Sequence, residues 1–228
     1  MKVTLIGPSI SPFVIKVKAA LTFKGLDFEH REYVGISELR KLNPQTGKVP
    51  ILLIDDEPIF DSSLILRRIE QAKPNPSFYS GETDTAAKQS LLEDWSDESL
   101  YWYVQALRWC EKNEPCTIAE NKQFVPKLLR PFANTILRRL VGRQPLGQGF
   151  GRLPYELLVS ELEARMEELG SVLGNKPHFY ADKPSVADFA IYGVASTGHS
   201  GATPEFADAF AKHANLVDWR GRMRSICQ

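Results

Sequence analysis

Hydrophobic and polar positions change period several times along this chain, and each change marks an element. Val3 to Ile6 is an unbroken apolar run ended by Gly7-Pro8, which predicts a short buried strand and a turn. Ser9-Ile10-Ser11-Pro12 supplies a helix start, with Ser11 as N-cap and Pro12 at the first helical position. Phe13, Val17, Ala20 and Leu21 continue that helix to Gly25, a good C-terminal residue. Phe28 to Tyr33 alternates apolar and charged residues as a strand does, and Ser37 to Leu42 predicts a short helix stopped by Asn43-Pro44. Ile51 to Ile54 is a second apolar strand bounded by Asp55-Asp56, and Ile59-Phe60 leads into helical spacing after Ser62.

Lys73-Pro74-Asn75-Pro76 through Gly81 reads as a linker, and from Thr85 onward the period is helical. Leu92, Trp95, Ser99, Trp102, Tyr103, Ala106 and Cys110 form one stripe, and burial preference makes its aromatics core residues. Tyr155, Leu158, Leu162, Met166, Leu169 and Leu173 form another, closed by Gly174. Ser185-Val186-Ala187-Asp188 is a capping box in which Asp188 stands in for the usual Glu or Gln. The pattern divides the chain into an α/β domain over 1–76, a linker over 77–85 and an all-helical domain over 86–228.

Composition narrows the function. Lys plus Arg number 28 and Asp plus Glu number 28, so no global charge bias points to nucleic acid. The first apolar run is too short for a signal peptide and no later stretch approaches a membrane span, so a soluble, cytoplasmic protein is expected. Cys110, Cys116 and Cys227 lack C-x-x-C spacing, which argues against a zinc site and for reduced structural thiols. One stretch is biased: Lys122 to Tyr155 has no acidic residue and carries Lys122, Lys127, Arg130, Arg138, Arg139, Arg143 and Arg152. It suits an acidic partner or a membrane surface, or else a solvated face paired with acids such as Glu93, Asp94, Glu156 and Glu161.

The order β-α-β-α-β-β-α, with a proline entering a strand after the second helix, is the thioredoxin-like arrangement. Where redox members carry C-P-x-C, this chain has Ser11-Pro12-Phe13-Val14, which excludes dithiol exchange there. Pro50 enters a strand and removes a ladder donor, so a cis Val49-Pro50 bond is expected, leaving the Val49 N–H and C=O free for an extended, peptide-like ligand. Asp61 and Ser62 stand at a helix start, where free amides and the helix dipole attract a carboxylate. The plainer alternatives are an edge proline and an ordinary N-cap.

Ser11-Pro12-Phe13-Val14-x-Lys16-Val17, Asn43-Pro44, Gly47-Lys48-Val49-Pro50 and Asp61-Ser62 together resemble the cytosolic glutathione transferases of the serine type. The resemblance implies their fold, a thioredoxin-like α/β domain followed by an all-α domain, and an enzyme with glutathione as co-substrate and no metal. It assigns thiolate stabilisation to Ser11, with Ser9 as the competing hydroxyl. Glutathione would be held by Lys48 at the glycyl carboxylate, by Val49 and Pro50 at the cysteinyl backbone, and by Asp61 and Ser62 at the γ-glutamyl end. Tyr103 becomes a candidate contact of the second substrate, a small hydrophobic electrophile, and a homodimer is expected. The basic residue that serine-type plant members often carry before the second helix would fall near Gly35, and none is there.

Three later stretches resemble the metaxin and failed-axon-connections branch, which has bacterial members. They are Gly147-Gln148-Gly149-Phe150-Gly151-Arg152, Leu173-Gly174-x-Lys176-Pro177 and Asp182-Lys183-Pro184-Ser185-x-Ala187-Asp188-Phe189. That branch implies a second reading, a non-catalytic adaptor or interaction protein, favoured by the basic segment and opposed by the intact ligand motifs.

Overall fold

The four residues of β1 (Val3–Ile6) are all buried, which places this strand inside a sheet. The computed structural model describes residues 2–32 and 36–227. After β1 come α1 (Pro12–Phe23), β2 (Glu29–Arg31), α2 (Ile36–Leu42), β3 (Ile51–Ile54), β4 (Glu57–Phe60) and α3 (Ser62–Ala72). The strand expected over Phe28 to Tyr33 is therefore shorter where it is described, and Tyr33 and Gly35 lie outside the described residues. The sheet order is β2-β1-β3-β4, with β2 parallel to β1 and the other pairs antiparallel. Leu5 lies opposite Leu52, and Ile6 opposite Ile51. Asp55 and Asp56 turn between β3 and β4 with φ of 48° and 68°, the two successive positive values a tight hairpin requires.

The second half is helical. Its first helices are α4 (Thr83–Trp95), a π-helical turn Ser96–Leu100 and α5 (Tyr101–Arg108). α4 thus starts two residues before the expected Thr85. A series of short elements follows: α6 (Glu114–Asn121), 3-10 turns Lys122–Phe124 and Lys127–Phe132, α7 (Ala133–Leu137), a π turn Arg138–Gly142, α8 (Gln144–Gln148) and a 3-10 turn Phe150–Arg152. Longer helices close the chain: α9 (Tyr155–Leu173), α10 (Val186–Gly198), α11 (Pro204–Ala211) and α12 (Ala214–Ile226). On α9 the buried residues Leu158, Leu162, Met166, Leu169 and Leu173 are those the periodicity marks. Asp188 accepts from the Ser185 N–H at 2.9 Å, from the Phe179 N–H and from the Trp219 indole, so the capping box also ties α12 to α10.

One apolar core runs through both halves, joining Leu5, Val17, Leu21 and Leu66 to Leu100, Met166, Phe189 and Trp219. α1 lies directly on α10. A Cβ added to Gly193 would stand 2.3 Å from the Pro12 carbonyl oxygen, so only glycine lets the two helices approach this closely.

The stripe read along α4 and α5 is corrected. In the first half of that stretch the buried residues are Gln89, Glu93, Ser96, Asp97 and Leu100, whereas Leu92, Trp95 and Ser99 are only partly buried. The inward face is polar because α1 offers a lysine there, and the π turn shifts the helical register by inserting extra backbone.

Candidate functional site

The site is built where the turns after β1, after α2 and before α3 meet. Gly7 has φ of 145°, and a Cβ there would stand 2.5 Å from Val14 Cγ2 and 3.0 Å from Val49 Cβ. Glycine therefore lets the turn that carries Ser11 lie against the loop that carries Val49. Ser11 has the extended backbone of an N-cap: its N–H donates to the Pro8 carbonyl at 2.9 Å and its own carbonyl accepts from Ile15 N–H. Its hydroxyl, however, does not cap the helix and, among the described residues, has no protein partner. The first turn of α1 thus keeps both uncapped amides and an uncommitted hydroxyl. Ser9 is exposed, and its N–H is held by the Glu32 carboxylate at 2.8 Å.

Asn43, expected only as a helix stop, braces the next loop. Buried at 1% exposure, it donates to Thr46 Oγ1 at 2.7 Å and to the Lys48 carbonyl at 3.1 Å, and its Oδ1 accepts from Thr46 N–H. Lys48 is exposed and has no carboxylate partner among the described residues. The Val49-Pro50 peptide is cis, and neither the N–H nor the C=O of Val49 pairs with backbone among the described residues. At α3, Asp61 has φ of 72° and its carboxylate accepts from the Ser63 and Leu64 amides at 3.0 and 3.1 Å. Asp61 is therefore the N-cap of the plainer reading. The Ser62 amide is left, among the described residues, without a protein acceptor.

Beneath α3 lies a charged cluster. Lys16 is 1% exposed, and its ammonium donates to Glu93 Oε1 at 2.6 Å, to Asp97 Oδ2 at 2.5 Å, and to the Ser62 and Ser63 hydroxyls at 3.2 Å each. The Ser62 hydroxyl therefore faces inward. Burial acts to lower the Lys16 pKa, but the combined charges and hydrogen bonds of Asp97 and Glu93 outweigh it and hold the ammonium above its ordinary value. For Asp97 burial wins over the attraction of Lys16, and its carboxyl is pushed up to about 6. Asp97 Oδ1 is buried with no partner.

The N-terminal domain model of the glutathione S-transferases matches residues 5–77, and the C-terminal domain model matches residues 162–223. Together the two ranges take in more than half of the chain. It belongs to the cytosolic glutathione transferase superfamily.

The isoprene-epoxide–glutathione S-transferase of Rhodococcus sp. (strain AD45) is 26% identical over 227 residues, covering 95% of this chain and 92% of that protein. A probable glutathione S-transferase of Oryza sativa subsp. japonica is 31% identical over 153 residues, covering 62% of this chain and 63% of that protein. Among solved structures, beta-etherase LigF from Sphingobium sp. strain SYK-6 superposes with a TM-score of 0.72 at 22% identity, covering 99% of this chain and 96% of that one. That last likeness speaks for the shared transferase fold.

Against this transferase fold the expected site residues divide. Ser11, Val49 and Pro50 lie on turns brought together at Gly7, and Asp61 and Ser62 open α3 over the Lys16 cluster. Tyr103 is placed elsewhere: it is 8% exposed and packs edge-to-face on Phe150 with ring centroids 4.5 Å apart. The ring that meets α1 beside Pro12 is Tyr101, 4.9 Å from Phe13. Among the described residues no three His, Cys, Asp or Glu side chains gather as a metal site, and no helix is long and apolar enough to cross a membrane. Sequence reasoning missed Lys16 with Glu93 and Asp97. The available signal was a lysine between apolar residues of α1, joined to two acids four residues apart on a later helix.

Proposed function

We propose that this chain activates the thiol of glutathione for attack on a small hydrophobic electrophile. The observation that carries the reading is the first turn of α1, whose N-cap serine leaves its hydroxyl uncommitted. A cysteine thiol ionises near pH 8.5 and only the thiolate attacks well, so donors aimed at the sulfur raise the reactive fraction at neutral pH. Ser11 Oγ–H donates to that sulfur, and the positive end of α1 adds to the effect. Val49 N–H and C=O pair with the cysteinyl backbone, the Ser62 amide takes the γ-glutamyl carboxylate, and Lys48 meets the glycyl carboxylate. Asp61 acts by holding the α3 terminus in shape. In the transfer the sulfur forms a bond to carbon, the pair from the broken bond leaves on the departing atom, and the thiol proton goes to solvent. Phe13 and Tyr101 supply apolar surface beside the thiol in the place expected of Tyr103.

The finer features of the reading follow from the resemblance. We place the chain in the cytoplasm as a homodimer, for which Leu64 on α3 and Leu91 on α4, 49% and 71% exposed, are apolar surface on the two halves. The metaxin-like branch rests on the three quoted stretches, and the adaptor reading on that branch and on the basic segment from Lys122 to Arg152.

Titrating the ultraviolet absorbance of enzyme-bound glutathione tests the proposal. Removing a hydrogen bond to a charged group costs roughly 1.5–3 kcal/mol, so Ser11→Ala raises the bound thiol's pKa by about one to two units. Glutathione affinity stays nearly unchanged, and Ser9→Ala does much less. If glutathione gives no thiolate absorbance and the chain is not retained on immobilised glutathione, the transferase reading fails and the adaptor stands.

A further inference from the structure

Residues Glu114 to Arg152 lie between the two ranges matched by the transferase domain models and take no part in the site described above. Ile118, Val125, Ala133 and Leu137 form a small apolar core of their own, against which Trp109 and Ile136 pack. Outside that core the 3-10 turn Lys127–Phe132 presents Leu128 at 88% exposure and Phe132 at 64%, with Leu129 between them also exposed. The turn is braced from within: Arg130 donates through Nε to the Val125 carbonyl at 3.2 Å and through Nη2 to the Gln123 carbonyl at 3.1 Å.

The charge around this tip is one-sided. No acid lies between Lys122 and Tyr155, and of the seven cations there only Arg138 has a carboxylate partner among the described residues, Glu114 at 2.6 Å. The expectation that Glu93, Asp94, Glu156 and Glu161 neutralise the run is corrected: among the described residues none of the four pairs with it, Glu93 being taken by Lys16 and Glu161 by Arg165. Lys122 and Lys127 flank the apolar tip with exposed ammonium groups. Bulky apolar side chains standing clear of their neighbours, with free cations around them, complement a surface that is apolar below and anionic above.

We propose that this turn docks the protein on an anionic lipid surface. Leu128 and Phe132 enter the boundary between headgroups and acyl chains, while Lys122 and Lys127 face lipid phosphates. The occupant is a lipid surface rather than an acidic protein because the apolar residues project outward instead of lining a groove. With no membrane-crossing helix among the described residues, the association is reversible and sensitive to salt. The proposal does not depend on the glutathione reading.

Sedimentation of the full chain with vesicles tests it. The protein is expected to pellet with phosphatidylcholine vesicles containing about a third phosphatidylglycerol at low ionic strength, to be released by salt, and to ignore pure phosphatidylcholine. Leu128→Ser with Phe132→Ser weakens binding about tenfold or more, and Lys122→Gln with Lys127→Gln does so by a similar factor, while circular dichroism and the denaturation midpoint stay put. Failure to pellet with anionic vesicles at low salt overturns the proposal, as does binding that survives both double substitutions. If light scattering shows a dimer that Leu128→Ser with Phe132→Ser dissociates, the face belongs to a second copy of the chain and the proposal falls.

Discussion

Two regions of this molecule use charge in opposite ways. Under α3, Lys16 is enclosed with Glu93 and Asp97, and each ionic group is held by a partner within hydrogen-bond reach. In the segment from Lys122 to Arg152 seven cations stand with no acid among them in sequence, and among the described residues only Arg138 has a carboxylate partner. Removal from water makes the first arrangement obligatory, since an unpaired charge there has nothing to replace its hydration. Exposure removes that demand from the second arrangement, so charges such as Lys122 and Lys127, which have no carboxylate partner among the described residues, are available to something outside the chain. Buried charge therefore specifies how α1, α3 and α4 meet around the candidate site, whereas the exposed segment uses Arg130, Arg138 and Arg152 only for local contacts.

The largest expected effect tests the first half of that contrast. Lys16→Met leaves Glu93 and Asp97 buried without their cation and should lower unfolding stability by about 3–5 kcal/mol in denaturant titrations. Adding Glu93→Gln and Asp97→Asn to it should recover much of the loss, because a neutral cluster has no charge to solvate. If Lys16→Met alone were harmless, the cluster would not be the constraint argued for it.

Asp97 gives a smaller effect with a defined sign. Its folded pKa of about 6 exceeds the ordinary 3.8, so the native state keeps a proton that the unfolded chain releases. Stability contributed by this group is then present at low pH and lost as pH rises through that window, by on the order of 1–3 kcal/mol. Asp97→Asn cannot ionise. Measured by urea unfolding from about pH 4 to about pH 7, the variant should gain on the parent as pH rises, although its absolute stability reflects the altered contact to Lys16. A difference that stays flat across that range would contradict the raised pKa.

The smallest effect belongs to the exposed region. Lys122→Gln with Lys127→Gln should leave unfolding stability within about 0.5 kcal/mol, because neither side chain holds anything in place. A loss comparable to that of Lys16→Met would erase the contrast.

How much of this was legible follows the same division. The order of strands and helices up to Ala72 was readable because local rules agree there: apolar runs of strand length, Pro12 at a helix start, Asn43-Pro44 at a helix end. The face of α9 and the Ser185 box were readable for the same reason. The inward face of α4 was not, since a period count assumes that buried means apolar, and Glu93 and Asp97 are buried only because Lys16 meets them from a helix some 80 residues earlier in the chain. Nor could spacing show that the hydroxyl at Ser11 is uncommitted while the carboxylate at Asp61 is committed. Both are N-caps by sequence, and only side-chain orientation separates them. Tyr103 was chosen from a helical stripe, but the π turn before it alters which residues face α1, and Tyr101 is the ring that arrives there.

The contact at Gly193 has a consequence for how this protein can change. The first turn of α1 rests on α10 at that glycine, and the hydroxyl of Thr197 reaches the Ile10 carbonyl at 3.1 Å from one turn further along. The position of Ser11 is thus set by a surface encoded more than 180 residues downstream, in the other half of the molecule. The two halves are not interchangeable parts. A graft that kept every residue of the α/β half but brought a helical half with a side chain at position 193 would push Pro12 aside, and the defect would register as lost chemistry although no ligand contact had been altered.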